Sequence, residues 1–172
     1  MKNGMLLMLL VSALTACGNN DSSGSAASGG GDVKAIEFVT TQDSSPLKID
    51  TALFDTPAAK EFLATGKNPY IGNEEAIAKG KKVFQLYSCT QCHGADAKGQ
   101  VGPGLIGPTF KYPKNATNKG MFETIWHGTN GGMGAKGVGL MDPTDPKNGI
   151  TPDELLKIIA WIRSQGGVTG NE

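Results

Sequence analysis

A chain of 172 residues suits one domain with tails, and its 16 basic and 16 acidic side chains leave none of the positive excess that nucleic acid requires. Aromatic residues are only 6% and glycines number 25, so a core of side chains alone would be thin, and a bound prosthetic group would help to fill it.

The chain opens with an export signal. Lys2 supplies the positive start, and Met5 to Ala16 is an apolar run broken only by Ser12 and Thr15. That is shorter than the roughly 20 residues of a membrane span. It ends in Leu14-Thr15-Ala16-Cys17, which resembles a bacterial lipoprotein cleavage box, so Cys17 is expected to become the lipidated first residue. The alternative is an ordinary signal peptide cut nearby. The polar stretch after Cys17 reads as a flexible tether with a mean reach of about 20 Å. The expected division is 1–16 signal, 17–32 anchor and tether, and 33–172 folded domain, with an N-terminal extension over 33–55 and a core over 56–166. Loss of Lys2 leaves 15 basic against 16 acidic residues (16 − 1 = 15), a nearly neutral protein in an oxidising periplasm.

Within the domain, 35–40 alternates apolar and polar and predicts a short strand. Residues 56–66 predict a helix with Pro57 at its first position and Gly66 past its end. Residues 73–88 predict a stronger helix, capped by Asn73, with Glu74 and Glu75 at its positive end and Ile77, Val83, Phe84 and Tyr87 mainly on one side. From 94 to 119 the composition is that of a loop, 120–128 allows a short helix, and 129–149 is a second long loop. Residues 151–167 predict the clearest helix. Thr151 and Glu154 form a capping box, and Leu155, Ile158, Ile159 and Ile162 form the buried stripe, with Leu156 and Trp161 beside it. The fold class is mainly α, and helices joined by such long loops make a poor core unless something large sits among them.

Cys89-Thr90-Gln91-Cys92-His93 is the C-x-x-C-H pattern of c-type haem attachment. Two thiols add to the vinyl groups of haem as thioethers, and the next residue, His93, is held under the iron. The competing readings each lack a part. Structural zinc needs four ligands, and with Cys17 lipidated only His127 could easily join. A thioredoxin-like pair prefers a βαβ setting, which is missing here, and a plain disulfide is the remaining alternative. For the sixth ligand, spacing leaves Met121, Met133, Met141 and His127 open. Met133 stands first because the small residues around it allow close approach to a flat macrocycle, and Met141 is its main rival. On the proximal side, the Pro103 carbonyl is the expected acceptor for the second ring nitrogen of His93, with Leu105 packing on the haem face. An ordinary Gly-Pro turn is the plainer alternative.

The C-x-x-C-H motif, a Gly-Pro-x-Leu turn, a loop Met and a terminal amphipathic helix together resemble class I cytochromes c. Residues 55–70, 80–94, 98–134 and 151–164 resemble cytochrome c-L more narrowly. Its specific signature here is the run "GPGL…YPKN…GMFETI…GGMG". The resemblance implies a class I cytochrome c fold with one covalent haem c, and an electron carrier rather than an enzyme. It implies that Cys89 and Cys92 are the thioether cysteines, His93 the proximal ligand, Met133 the distal ligand, and Pro103 the proline beside His93. It implies a PQQ-dependent methanol dehydrogenase as electron donor and a downstream periplasmic cytochrome or terminal oxidase as acceptor. Another quinoprotein alcohol dehydrogenase is the alternative donor. A haem enzyme or gas sensor with a labile sixth ligand is a more distant alternative. Against that one, Arg163 is the sole arginine and there is no second C-x-x-C-H.

Three features depart from the family: the lipoprotein start, the segment 105–113, and the long stretch 135–149. Calcium binding occurs in some members. Asp142 and Asp145 are candidates here, without an assignable ligand set. A docking patch is expected around the haem edge, at Gly102, Gly104, 106–112 and 131–135, with Lys98, Lys111, Lys114 and Lys136 in or beside these loops.

Overall fold

The computed structural model describes residues 35–168, 170 and 171, so the signal segment, Cys17 and the tether lie outside the described residues. Among the described residues, five α-helices and one two-stranded hairpin make up the regular structure, with two short 3-10 turns, Thr51–Leu53 and Pro113–Ala116.

The expected helices form where their end signals stand. Helix α1 spans Pro57–Thr65, with the Thr56 side chain accepting from the Ala59 N–H. Helix α2 spans Glu74–Leu86 and is capped by Asn73 through the Ala76 N–H. It buries Ala76, Gly80 and Phe84, one residue per turn along one stripe. It stops at Tyr87 because Ser88 takes a left-handed φ of 57°. Helix α3 is the four-residue turn Thr90–His93 that carries the haem motif. Helix α4 runs Asn118–His127, two residues earlier than expected, because Thr117 caps it by accepting from the Gly120 N–H. Helix α5 spans Pro152–Ser164, with the Thr151–Glu154 capping box complete.

Helices α2 and α5 form the main packed pair. Leu155, Ile158, Ile159 and Ile162 of α5 are fully buried, as are Leu156 and Trp161 beside them, and the Phe84 ring lies 4.5 Å from that of Trp161. A second cluster joins Phe62 of α1 to Phe122 of α4 at 4.9 Å, and Phe122 stacks on Trp126 at 5.5 Å.

The segment expected as an extension is built into this second cluster. The strand over 35–40 shortens to β1, Phe38–Val39, which pairs antiparallel with β2, Pro46–Leu47. Phe38 and Phe54 are buried, and the Phe38 ring lies 5.3 Å from Phe122. The hairpin is also tied to α4 by charge. Glu123 is 1% exposed; it accepts from the Val39 N–H at 2.8 Å and pairs with Lys114 at 2.6 Å and with Lys119. A buried carboxylate is costly unless it is paired and hydrogen-bonded in this way.

Candidate functional site

The C-x-x-C-H motif leaves the end of α2 through the left-handed Ser88 and coils at once into α3. The His93 N–H donates to the Cys89 carbonyl at 2.9 Å, which closes the turn and sets both thiols and the imidazole on one short unit. Cys89 is half-buried and Cys92 exposed, and neither is in a disulfide. Burial pushes the Cys89 thiol above its ordinary pKa, against the pull of Lys136.

His93 is 8% exposed, and its Nδ1 lies 2.8 Å from the Pro103 carbonyl oxygen. That carbonyl can only accept, so in the neutral imidazole Nδ1 carries the proton and the lone pair falls on Nε2. The loop that brings Pro103 there is pinned to the motif. The Cys92 carbonyl accepts from the N–H groups of Gly102 at 2.7 Å and Gln100 at 3.2 Å, and the His93 carbonyl accepts from the Gly99 N–H at 2.8 Å. Gly102 lies so close to the ring that a Cβ there would stand 3.1 Å from His93 Cε1. Residue size at 102 thus sets how near the loop approaches the imidazole.

Opposite elements carry Met133. Its carbonyl accepts from the Thr129 N–H at 2.8 Å. Three residues on, the N–H groups of Lys136 and Gly137 bond to the last carbonyls of α4, on Ile125 and Trp126. Gly137 then bridges Ile150, just before α5. The Met133 loop is therefore suspended between α4 and α5.

These residues enclose two spaces. An open cleft of about 330 Å³ is bordered by Cys89, Cys92, His93, Pro103, Met133 and Lys136. An inner void of about 30 Å³ shares Cys89, His93 and Met133 and adds Leu105, Asn115 and Thr124. Of the six residues named from the sequence, Cys89, His93 and Met133 border both spaces, Cys92 and Pro103 the cleft, and Leu105 the inner void. Met121 forms part of the inner wall from α4, while Met141 and His127 border neither space.

The donor set suits a haem. Two free thiols stand three residues apart, an imidazole has one nitrogen tied and one lone pair free, and a thioether and apolar walls complete the crevice. Among the described residues, no three His, Cys, Asp or Glu side chains converge as a metal-ion site would require. Asp142 and Asp145 behave as turn residues: the Asp142 carboxylate accepts from the Thr144 N–H at 2.9 Å and the Thr144 hydroxyl at 2.7 Å. These bonds hold its pKa below the usual carboxylate value.

The expected docking lysines separate into two kinds. Lys114 is not available, because it neutralises the buried Glu123. Lys98 pairs with Asp96 at 2.9 Å on the surface. Lys111 is exposed with its ammonium over the Tyr112 ring, and Lys136 borders the cleft itself. Three residues went unsingled by the sequence reading. Val101, 84% exposed, stands on the cleft rim, and Asn115 and Thr124 face the inner void. An apolar residue inside a Gly-Pro loop was a readable signal for the first. The other two depend on tertiary placement.

The cytochrome c family model matches residues 77–166. Cytochrome c-L of Methylorubrum extorquens is 46% identical over 110 residues, covering 63% of this chain and 50% of that protein, so the chain spans half the length of this curated relative. Among solved structures, cytochrome c-L from the marine methylotroph Methylophaga aminisulfidivorans aligns with a TM-score of 0.62 at 37% identity, over 75% of this chain and 79% of that one. Cytochrome c-L from Hyphomicrobium denitrificans aligns with a TM-score of 0.64 at 39% identity, over 75% and 73%.

Proposed function

The chain belongs to the cytochrome c family and to its cytochrome c-L branch, and on that footing we propose that it is a periplasmic one-electron carrier that accepts electrons from a PQQ-dependent methanol dehydrogenase. The observation that carries this reading is the crevice in which Cys89, Cys92, His93 and Met133 meet. When bound there, haem c supplies a reversible one-electron couple. Cys89 and Cys92 would hold it covalently, which would prevent its loss. His93 and Met133 would hold the iron. The Pro103 carbonyl orients the imidazole and would raise its basicity as a ligand, and a thioether ligand would raise the potential toward that of an electron acceptor. Apolar residues make up most of the crevice wall, and the open mouth would let an electron enter over a short distance.

The donor is read from the family and the electrons pass on to a downstream periplasmic cytochrome or terminal oxidase. Lipid on Cys17 holds the domain at a membrane face. The test is stopped-flow reduction of the purified holoprotein by a PQQ-dependent methanol dehydrogenase and, in parallel, by a quinoprotein alcohol dehydrogenase. Faster reduction by the first supports the reading. Reduction only by the second reassigns the donor, and rapid carbon monoxide binding by the reduced protein would replace the carrier with a labile-ligand haem protein.

A further inference from the structure

The turn of the N-terminal hairpin reaches the loop that carries Met133. Between Thr129 and Gly134 that loop makes two hydrogen bonds within itself. The Thr129 N–H donates to the Met133 carbonyl at 2.8 Å, and the Gly131 N–H donates to the Thr129 hydroxyl at 3.2 Å. Among the described residues, one hydrogen bond joins this stretch to another element. Asn130 Nδ2 donates to the Gln42 carbonyl at 3.2 Å, across 88 positions of sequence.

That acceptor stands on a firm base. The turn closes on itself: the Thr40 N–H donates to the Ser45 carbonyl at 2.9 Å, and Asp43 Oδ1 accepts from the Thr40 hydroxyl and the Ser45 N–H. Beside Gln42, the Thr41 hydroxyl meets the Thr124 hydroxyl of α4 at 2.8 Å. The strand before the turn is fixed to the same helix. The Val39 N–H donates to buried Glu123, the Val39 carbonyl accepts from Lys114 at 3.3 Å, and Phe38 packs on Phe122. Gln42 is therefore held against α4, the helix from whose end the Met133 loop departs. The other side of the loop is packed rather than bonded. A Cβ at Gly131 would stand 2.9 Å from Lys111 Nζ and 3.0 Å from the Tyr112 hydroxyl.

A loop with few bonds outward opens by local fluctuation, without unfolding of the domain. A molecule that binds only the opened form has an apparent affinity that scales with the population of that form. Each hydrogen bond that closes the loop lowers this population.

We propose that the hairpin turn is a latch on the Met133 loop, made by Asn130 on the Gln42 carbonyl, and that it limits how often Met133 gives up its place to another ligand. This rests on the haem reading given above and deepens it, since a carrier keeps its sixth position filled where a ligand-binding haem protein does not. Asn130 borders neither space of the crevice, so it is a positioning residue that acts through the loop.

Imidazole binding to the oxidised holoprotein tests the latch. Asn130→Ala removes the donor at an exposed position. It is expected to raise the apparent imidazole affinity about two- to tenfold and to quicken hydrogen exchange at the Thr129 amide, with covalent haem retained. Thr41→Val frees the turn from Thr124 and should raise the affinity by a smaller factor. An unchanged affinity in folded Asn130→Ala overturns the latch and leaves the haem reading intact. Wild-type protein that lacks covalent haem, or that takes up imidazole as readily as an open sixth position, would overturn both.

Discussion

Gly80 of α2 rests directly against the Lys157 carbonyl of α5, so closely that a Cβ at position 80 would overlap that oxygen. The obstacle is backbone and cannot rotate away. Alanine would gain about 0.8–1 kcal/mol of helix propensity over glycine, but overpacking a tight contact costs about 1–3 kcal/mol, and here a whole helix must shift. Gly80→Ala is therefore expected to lower the melting temperature of the holoprotein and to leave its visible spectrum in place. A raised melting temperature would mean that the crossing is looser than described.

The Met133 loop hangs from α4 and α5, and Met133 borders both spaces of the crevice, whereas Met141 borders neither. Met133→Ala should abolish the weak long-wavelength band of sulfur-ligated ferric haem and lower the midpoint potential. Met141→Ala should change neither. Optical spectra and redox titrations of the two variants decide between the residues, and the reverse pattern would move the ligand to position 141.

How far the sequence alone led depends on the range of each contact. Thr56, Asn73, Thr117 and the Thr151–Glu154 box act within one helical turn, and the chain folds locally much as these signals direct. The Pro103 carbonyl could be expected beside His93 because the two are separated by one short loop. Contacts over longer separations were not legible. Phe38 and Phe54 join Phe62 and Phe122 across most of the domain, so 33–55 looked like an extension. Lys114 looked like a surface cation because its partner, Glu123, lies on the following helix and only burial reveals the need for it.

Stability should be flat at intermediate pH and fall at both extremes. Burial works to raise the pKa of Asp153, but hydrogen bonds from Lys157, Tyr70 and Thr56 outweigh it and hold the carboxyl below its ordinary 3.8. A depressed folded pKa gives stability that is present above 3.8 and is lost as pH falls through the folded value. Tyr70 shifts the other way: burial and then Asp153 push it from 10.0 up to about 12. Its contribution is present below pH 10 and is lost between pH 10 and about 12. Thermal melts across pH should show both limbs, and Asp153→Asn should flatten the acid one. An acid limb unchanged in Asp153→Asn would assign it to other carboxylates.

The lipid proposed for Cys17 carries a prediction of where the cytochrome is found. A lipoprotein carries several acyl chains, enough for stable anchoring where a single chain binds marginally. The wild type should fractionate with membranes, and Cys17→Ser should appear in the soluble periplasmic fraction or remain unprocessed. Release of the wild type by osmotic shock alone would remove the anchor from the model of function.

The last expectation concerns encounter with the donor. Electron-transfer complexes are small, below about 1,200 Å² in total, so a few charges near the transfer site weigh heavily on the association rate. Lys111 and Lys136 are the candidates for that role here, because Lys111 is exposed and Lys136 borders the cleft, while Lys114 is spent on Glu123. Lysines beside the mouth hasten encounter with an acidic surface. Screening shortens the reach of that attraction from about 10 Å at 0.1 M salt to about 3 Å at 1 M. Reduction by the dehydrogenase should therefore slow as salt rises, and Lys111→Glu or Lys136→Glu should slow it further with the visible spectrum unchanged. Lys114→Glu offers a contrast. It places a second carboxylate against one already buried, so it should lower the melting temperature before it changes the rate. Stopped-flow reduction of the wild type, Lys111→Glu and Lys136→Glu at low and high salt measures this. Equal rates across all three proteins and both salts would take the lysines out of the encounter and leave the apolar rim around Val101 as the docking contact.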